Sequence, residues 1–219
     1  MKSLFSRTRP SPRYLELLEQ YRLMHTEGEQ FRQIPAAETF SGQSLPRHAT
    51  KVKKLIDAFG AKSILDYGAG KGRQYTSFKV KLPDGSEYST IPAYWGIDRL
   101  VCYDPGYEPF SKLPAAQCDG VISTDVLEHC PEEDVPWIVS ELFAFARMFV
   151  MANVACYPAR KRLANGENAH CTVKDLAWWE GVLNEIGPTY PQVRYWFLLD
   201  HITADERGTS SLETVVIQG

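Results

Sequence analysis

The ten residues from Ser63 to Gly72 (SILDYGAGKG) constrain the fold more than any other stretch of this chain. A short apolar run, Ile64-Leu65, ends on the acid Asp66 and turns at once through Gly68, Gly70 and Gly72. Such a run, bounded by glycines, reads as a buried strand entering a tight turn. Glycines there let the backbone take positive φ and approach a ligand where a Cβ would clash. The spacing is G-x-G-x-G; the dinucleotide fingerprint G-x-G-x-x-G would need its last glycine at position 73, which is Arg73. Taken alone, the segment is also what a tight strand–helix connection without a ligand would use.

A second segment, Cys118 to His129 (CDGVISTDVLEH), repeats the pattern of an apolar run that stops at polar residues. Together, Leu65-Asp66-Tyr67-Gly68-Ala69-Gly70-Lys71-Gly72 and Cys118–His129 resemble two motifs of the class I S-adenosylmethionine-dependent methyltransferases. The first is a strand followed by D/E-x-G-x-G-x-G. The second is the fourth-strand "VLEH" segment of the family's small-molecule branch. The resemblance covers roughly residues 50 to 219. It implies an α/β fold, a doubly wound Rossmann-like methyltransferase sandwich over residues 51–219. Its sheet would be mostly parallel and seven-stranded, with an antiparallel last strand. Residues 1–50 would form an N-terminal helical extension folding back over the cleft.

The periodicity agrees with alternating strands and helices. Tyr14, Leu17, Leu18, Tyr21 and Met24 recur at helical spacing from Pro12 to about Thr26, with Gly28 as a stop, and a second helix is expected over 47–59. Strands are expected at 62–67, 100–103, 120–123, 148–154, 193–199 and 212–217. A short helix should follow the glycine turn near Lys71, and the Pro83-Asp84-Gly85 turn suggests a hairpin within 78–91. Further helices are expected from Pro131 or Pro136 to Ala146, and from Thr172 to Glu185.

In open parallel sheets, ligands bind beyond the carboxyl ends of strands where the strand order reverses. The resemblance implies that the turn at Tyr67, Gly68 and Gly70 cradles the methionine part of S-adenosylmethionine, with Asp66 holding its ammonium group. Asp104, in Tyr103-Asp104-Pro105-Gly106, is suited to accept the ribose hydroxyls, with Pro105 beside it; Asp98 competes for that role. Asp125 and Val126 follow the fourth strand, over the cofactor or the reaction centre, though Asp125 and Glu128 could instead cap the next helix. His129 suits either proton transfer near neutrality or a structural hydrogen bond.

Tyr157 to His170 is a long polar segment where this fold builds its acceptor pocket. It resembles a G-x-N-x-H loop followed by a Trp-Trp helix. Asn168, His170 and Trp178 are therefore expected at the substrate, with His170 as general base or as a structural residue. Arg160, with Lys161 and Arg162, either binds an anionic group or forms a solvated basic loop. Tyr21, His25 and Phe40 of the extension are expected to touch ligand.

The reading is thus an S-adenosylmethionine-dependent methyltransferase acting on oxygen or nitrogen of a small polar metabolite, with S-adenosylhomocysteine as product. The alternatives are a methyltransferase acting on nucleic acid or protein, and a non-catalytic cofactor-binding module. A net charge of -3 disfavours a nucleic-acid footprint, and no D/N-P-P-Y/W tetrapeptide is present. A homodimer stays open. No stretch approaches a membrane span, and the N-terminus lacks the apolar run of a signal peptide, so a cytoplasmic protein is expected. The five cysteines, 102, 118, 130, 156 and 171, lack metal-ligand spacing and read as reduced, mostly buried thiols. No cluster of His, Cys and carboxylate stands out, so no metal is expected.

Overall fold

The computed structural model describes residues 4–40, 42–204 and 210–219; residues 1–3 and 41, both within the expected extension, lie outside the described residues. In chain order the elements are α1 (Pro12–Glu27), α2 (Leu45–Phe59), β1 (Ser63–Tyr67), α3 (Gln74–Ser77), β2 (Val80–Lys81), β3 (Glu87–Tyr88) and α4 (Ile91–Trp95). There follow β4 (Arg99–Tyr103), β5 (Cys118–Thr124), α5 (Val135–Phe145), β6 (Ala146–Ala155), α6 (Leu176–Ile186), β7 (Arg194–Ala204) and β8 (Ser210–Gln218). The main sheet runs β4-β1-β5-β6-β7-β8. It is parallel through β7, and β8 closes it antiparallel. The chain leaves β1 for β4 on one side and returns to β5 on the other, so the order reverses between β1 and β5. This is a doubly wound, Rossmann-like α/β sandwich.

Among the described residues the main sheet has six strands, one fewer than expected. Between β4 and β5 the chain instead makes a single 3-10 turn at Glu108–Phe110. Pro105, Pro109 and Pro114 fall in this stretch, and each lacks the N–H a ladder strand needs.

Alternation along the strands divides the core. Ile64, Ile122, Met151 and Leu198 pack with α2, Tyr75 and Trp95 on one face. Leu65, Val121, Val150, Phe197 and Leu199 pack with α5 and α6 on the other. Neighbouring residues of a strand point to opposite faces, so Asp66 and Tyr67 diverge as well.

Local chemistry adjusts the boundaries. Pro46 lies in the first turn of α2, where a missing N–H is harmless, and the helix starts at Leu45. The last helix begins at Leu176, not Thr172, because the Asp175 carboxylate caps it by accepting the Trp178 N–H at 2.9 Å. The hairpin forms as the separate β2–β3 ribbon. A helix that the sequence reading passed over, α4, is capped by Thr90, whose hydroxyl accepts the Ala93 N–H at 3.3 Å. All five cysteines are free; Cys118 is buried, Cys171 is exposed and the others lie between, so the thiols are less buried than expected. Among the described residues no helix is long and apolar enough to cross a membrane.

The N-terminal segment is anchored at several points. The Ser11 hydroxyl accepts the Tyr14 N–H at 3.0 Å, starting α1, and donates to the Asp134 carboxylate. The Arg7 guanidinium grips both carboxylate oxygens of Glu141 and donates to the hydroxyls of Tyr103 (2.7 Å) and Tyr67 (2.8 Å). Leu17 and Met24 of α1 bury themselves against Leu163 and Ala169.

Candidate active site

A cleft of about 840 Å³ opens over the carboxyl ends of β1, β4 and β5, at the reversal of strand order. Its floor includes Gly68, Gly70, Asp104, Pro105, Asp125 and Val126; its walls include α1, Phe40 and the 157–170 segment.

Gly68 has φ +88°, and a Cβ on it would lie 2.2 Å from Cγ2 of Val126. The turn and the β5 terminus therefore sit closer together than any side chain at 68 would allow. Asp104 holds the next part of the turn: its Oδ2 accepts the Gly70 N–H at 2.8 Å and its Oδ1 the Gly106 N–H at 2.9 Å. Burial pushes its carboxyl up from the usual range, against the pull of those N–H groups. Beside it His25 is stacked between Phe40 (4.2 Å) and Tyr107 (5.0 Å), its Nε2 3.9 Å from Asp104 Oδ1 and its Nδ1 buried without a partner. Burial lowers the His25 pKa to about 4.

Asp125 is one of three non-glycine residues with positive φ among those described, at +54°, a conformation held only where surroundings fix it. Its N–H donates to the Asn153 carbonyl at 3.2 Å and its carboxylate accepts from the Ser44 hydroxyl. Thus Ser44, just before α2, and β6 together hold it at the cleft.

The two histidines form a pair, with ring centroids 4.8 Å apart and edge to face. His129 Nδ1 lies 2.8 Å from both the Ala169 carbonyl and the Tyr21 hydroxyl, and that hydroxyl donates to the same carbonyl at 3.0 Å. A carbonyl only accepts, so Nδ1 carries the proton and Nε2 keeps its lone pair. His170 Nδ1 donates in the same way to the Tyr157 carbonyl at 2.6 Å. Burial, followed by the neighbouring His170 ring, lowers the pKa of His129 to about 3. Burial also lowers that of His170. Burial thus favours the neutral form of both rings, and the Nδ1–H bonds leave each Nε2 with its lone pair.

Four residues expected at ligand stand elsewhere. The Asp66 side chain is buried beneath the turn, accepting from Tyr75 (2.7 Å) and Gln74 (3.1 Å). Burial pushes its carboxyl up to about 6. Tyr67 points to the opposite face, donating to Glu141 at 2.6 Å. Asn168 staples its own loop, exchanging bonds with both backbone groups of Ala159 and accepting the His170 N–H at 2.9 Å; it presents His170 and does not line the cleft. Trp178 lines a separate cavity against α5 and not the cleft. Arg160 and Lys161 do line the cleft, as do Tyr21, His25 and Phe40. Lys161 is held 5.6 Å over the Phe40 ring.

Glu128, expected either over the reaction centre at the end of the strand or as a helix cap, has surroundings that its sequence position does not report. It is fully buried; Oε1 accepts the Ala155 N–H at 2.9 Å and Oε2 has no partner. Burial, and next the charge of Asp125, raise its pKa well above the usual range. One of its oxygens and one ring nitrogen each of His129 and His170 lie within 4.8 Å of one another. The adjacent acid and imidazole at a strand's end were a signal, but the third partner lies 41 residues on.

No protein-family model matches the chain, and a search of curated proteins finds no match. Among solved structures it is similar to a complex of DhpI with SAH, at 14% identity over 94% of this chain and 81% of that one, with a TM-score of 0.28. A likeness of that size leaves function to be argued from the cleft itself.

Proposed function

We propose that this chain is an S-adenosylmethionine-dependent methyltransferase of the class I fold, acting on an oxygen or nitrogen of a small polar acceptor. One observation carries the reading: the glycine turn, the Asp104 carboxylate and the imidazoles of His129 and His170 open into a single cleft at the reversal of strand order. The donor set fits the cofactor. Gly68 and Gly70 allow close backbone approach, and Asp104 retains lone pairs for hydroxyl donors beside the His25–Phe40 stack. S-adenosylmethionine supplies an activated methyl group on a cationic sulfur; alignment and exclusion of water do most of the remaining work. Asp125 offers the negative charge nearest the β5 end. The His170 Nε2 takes the proton of a hydroxyl or amine acceptor, with its ring fixed by Tyr157 and Asn168. Arg160 and Lys161 favour an acceptor carrying negative charge. On this reading residues 51–219 are the catalytic domain, residues 1–50 roof the cleft, and the protein works in the cytoplasm.

The test is calorimetric titration with S-adenosylhomocysteine, with NAD as control. Binding on the order of -8 kcal/mol, a micromolar Kd, is expected, weakening at least tenfold in Asp104→Ala and leading on to an acceptor screen. Absence of heat from folded protein, or binding of NAD in its place, would sink the proposal. Loss of turnover in His170→Gln with cofactor affinity retained separates an enzyme from a binding module.

A further inference from the structure

We propose that Glu128, His129 and His170 bind one borderline divalent metal cation, of the zinc or cobalt class, at the acceptor end of the cleft. Their three donor atoms lie within 4.8 Å of one another. Some point is therefore within about 2.8 Å of all three, so a closure of less than 1 Å reaches the ~2.0–2.2 Å bonds such cations form.

The surroundings fit ligands better than isolated side chains. Metal-binding histidines almost always donate the other ring N–H to a carbonyl or carboxylate, which fixes tautomer and orientation. Both rings do so here, His129 to Ala169 and His170 to Tyr157, leaving Nε2 free in each. Glu128 is 0% exposed and already steadied at Oε1 by the Ala155 N–H, while Oε2 has no partner. A buried carboxylate oxygen without a donor is unfavourable, and a cation relieves it. Two imidazoles and one carboxylate suit borderline cations; magnesium and calcium prefer oxygen ligands throughout. Three protein ligands leave coordination positions open, and His129 and His170 face the cleft from which an acceptor would fill them.

The catalytic consequence rests on the methyl-transfer reading, whereas cation binding does not. With the site filled, the lone pair that His170 offers to a proton is engaged. A cation held by Glu128, His129 and His170 would acidify an acceptor hydroxyl, whose proton would leave to solvent. The oxygen's electron pair would then form the oxygen–methyl bond as the carbon–sulfur pair returned to sulfur.

The experiment uses the tag-free, metal-stripped full chain without cofactor, titrated with Co²⁺ in the visible spectrum and with Zn²⁺ in a calorimeter. One cation per chain is expected, with affinity falling at least tenfold in both Glu128→Gln and His170→Gln. Circular dichroism checks that each variant folds; if Glu128→Gln does not, the half-buried His170→Gln carries the test. No stoichiometric binding by folded wild type, or binding that His170→Gln leaves unchanged, would overturn the site. S-adenosylhomocysteine titrated into the same preparation separates the two ideas. Its binding without a cation removes the metal site alone, and a cation bound without it removes only the methyl-transfer reading.

Discussion

Gly68→Ala tests whether the turn after β1 is held as tightly as its contacts require. The new Cβ would lie 2.2 Å from Cγ2 and 2.8 Å from Cγ1 of Val126, and the backbone φ there is +88°. Two independent costs follow. A left-handed conformation costs an L-residue about 1–2 kcal/mol, and overpacking a contact with no slack about 1–3 kcal/mol. The sum is about 2–5 kcal/mol, a large part of the ~5–15 kcal/mol that stabilises most domains. Urea denaturation with linear extrapolation measures it. The two terms come apart in Gly68→Ala/Val126→Ala, which removes both γ-carbons and leaves the φ cost with a single 3.1 Å contact to the Val126 Cβ. The double variant should recover about 1–3 kcal/mol, seen as a coupling between two sites that otherwise add. A single variant within about 0.5 kcal/mol of wild type, or a double variant with no coupling, would refute the argument that Val126 excludes a side chain at 68.

Two further outcomes follow from buried charge. Asp66, held at about 6 when folded and near 4 when unfolded, binds more protons folded than unfolded between those values. Its contribution to stability therefore falls as pH rises from 4 to 6, by up to about 3 kcal/mol, and the loss is complete above pH 6. Asp66→Asn should gain stability relative to wild type across that window in parallel urea titrations; a pH-independent difference would contradict the burial argument. Arg7→Ala leaves Glu141 with the Tyr67 hydroxyl as its remaining donor in that network. Because Arg7 is 31% exposed, the loss should be about 1–3 kcal/mol, read as a lower thermal midpoint, and an unchanged midpoint would mean that solvent replaces the pair.

The parts of this fold legible in the sequence are those whose determinants are local. The β1–glycine turn, the hairpin around Asp84-Gly85, α1 with its Pro12 start and Gly28 stop, and the run of β5 into Asp125 each carry their own signal within a dozen residues. The boundaries that moved did so for local reasons too, the Asp175 cap and Pro46 among them. The seventh strand is absent from the described sheet where prolines punctuate residues 104–117.

The direction of side chains was less legible, because it depends on what lies across the sheet. Asp66 and Tyr67 are adjacent in a motif that associates both with the cofactor, yet pleating sends them to opposite faces. Asp66 meets Tyr75 and Gln74 from α3, and Tyr67 meets Arg7 from sixty residues earlier. The His129–His170 pair is a stronger case of the same kind. Its geometry depends on α1 delivering Tyr21 to the Ala169 carbonyl and on Asn168 folding its loop so that His170 turns inward. No periodicity reports that convergence; it arises only when the roof of the cleft, the N-terminal helix and the 157–170 segment bury Leu17, Met24, Leu163 and Ala169 together. Packing that looks merely structural thus fixes the tautomers of both imidazoles, and with them what the cleft can hold.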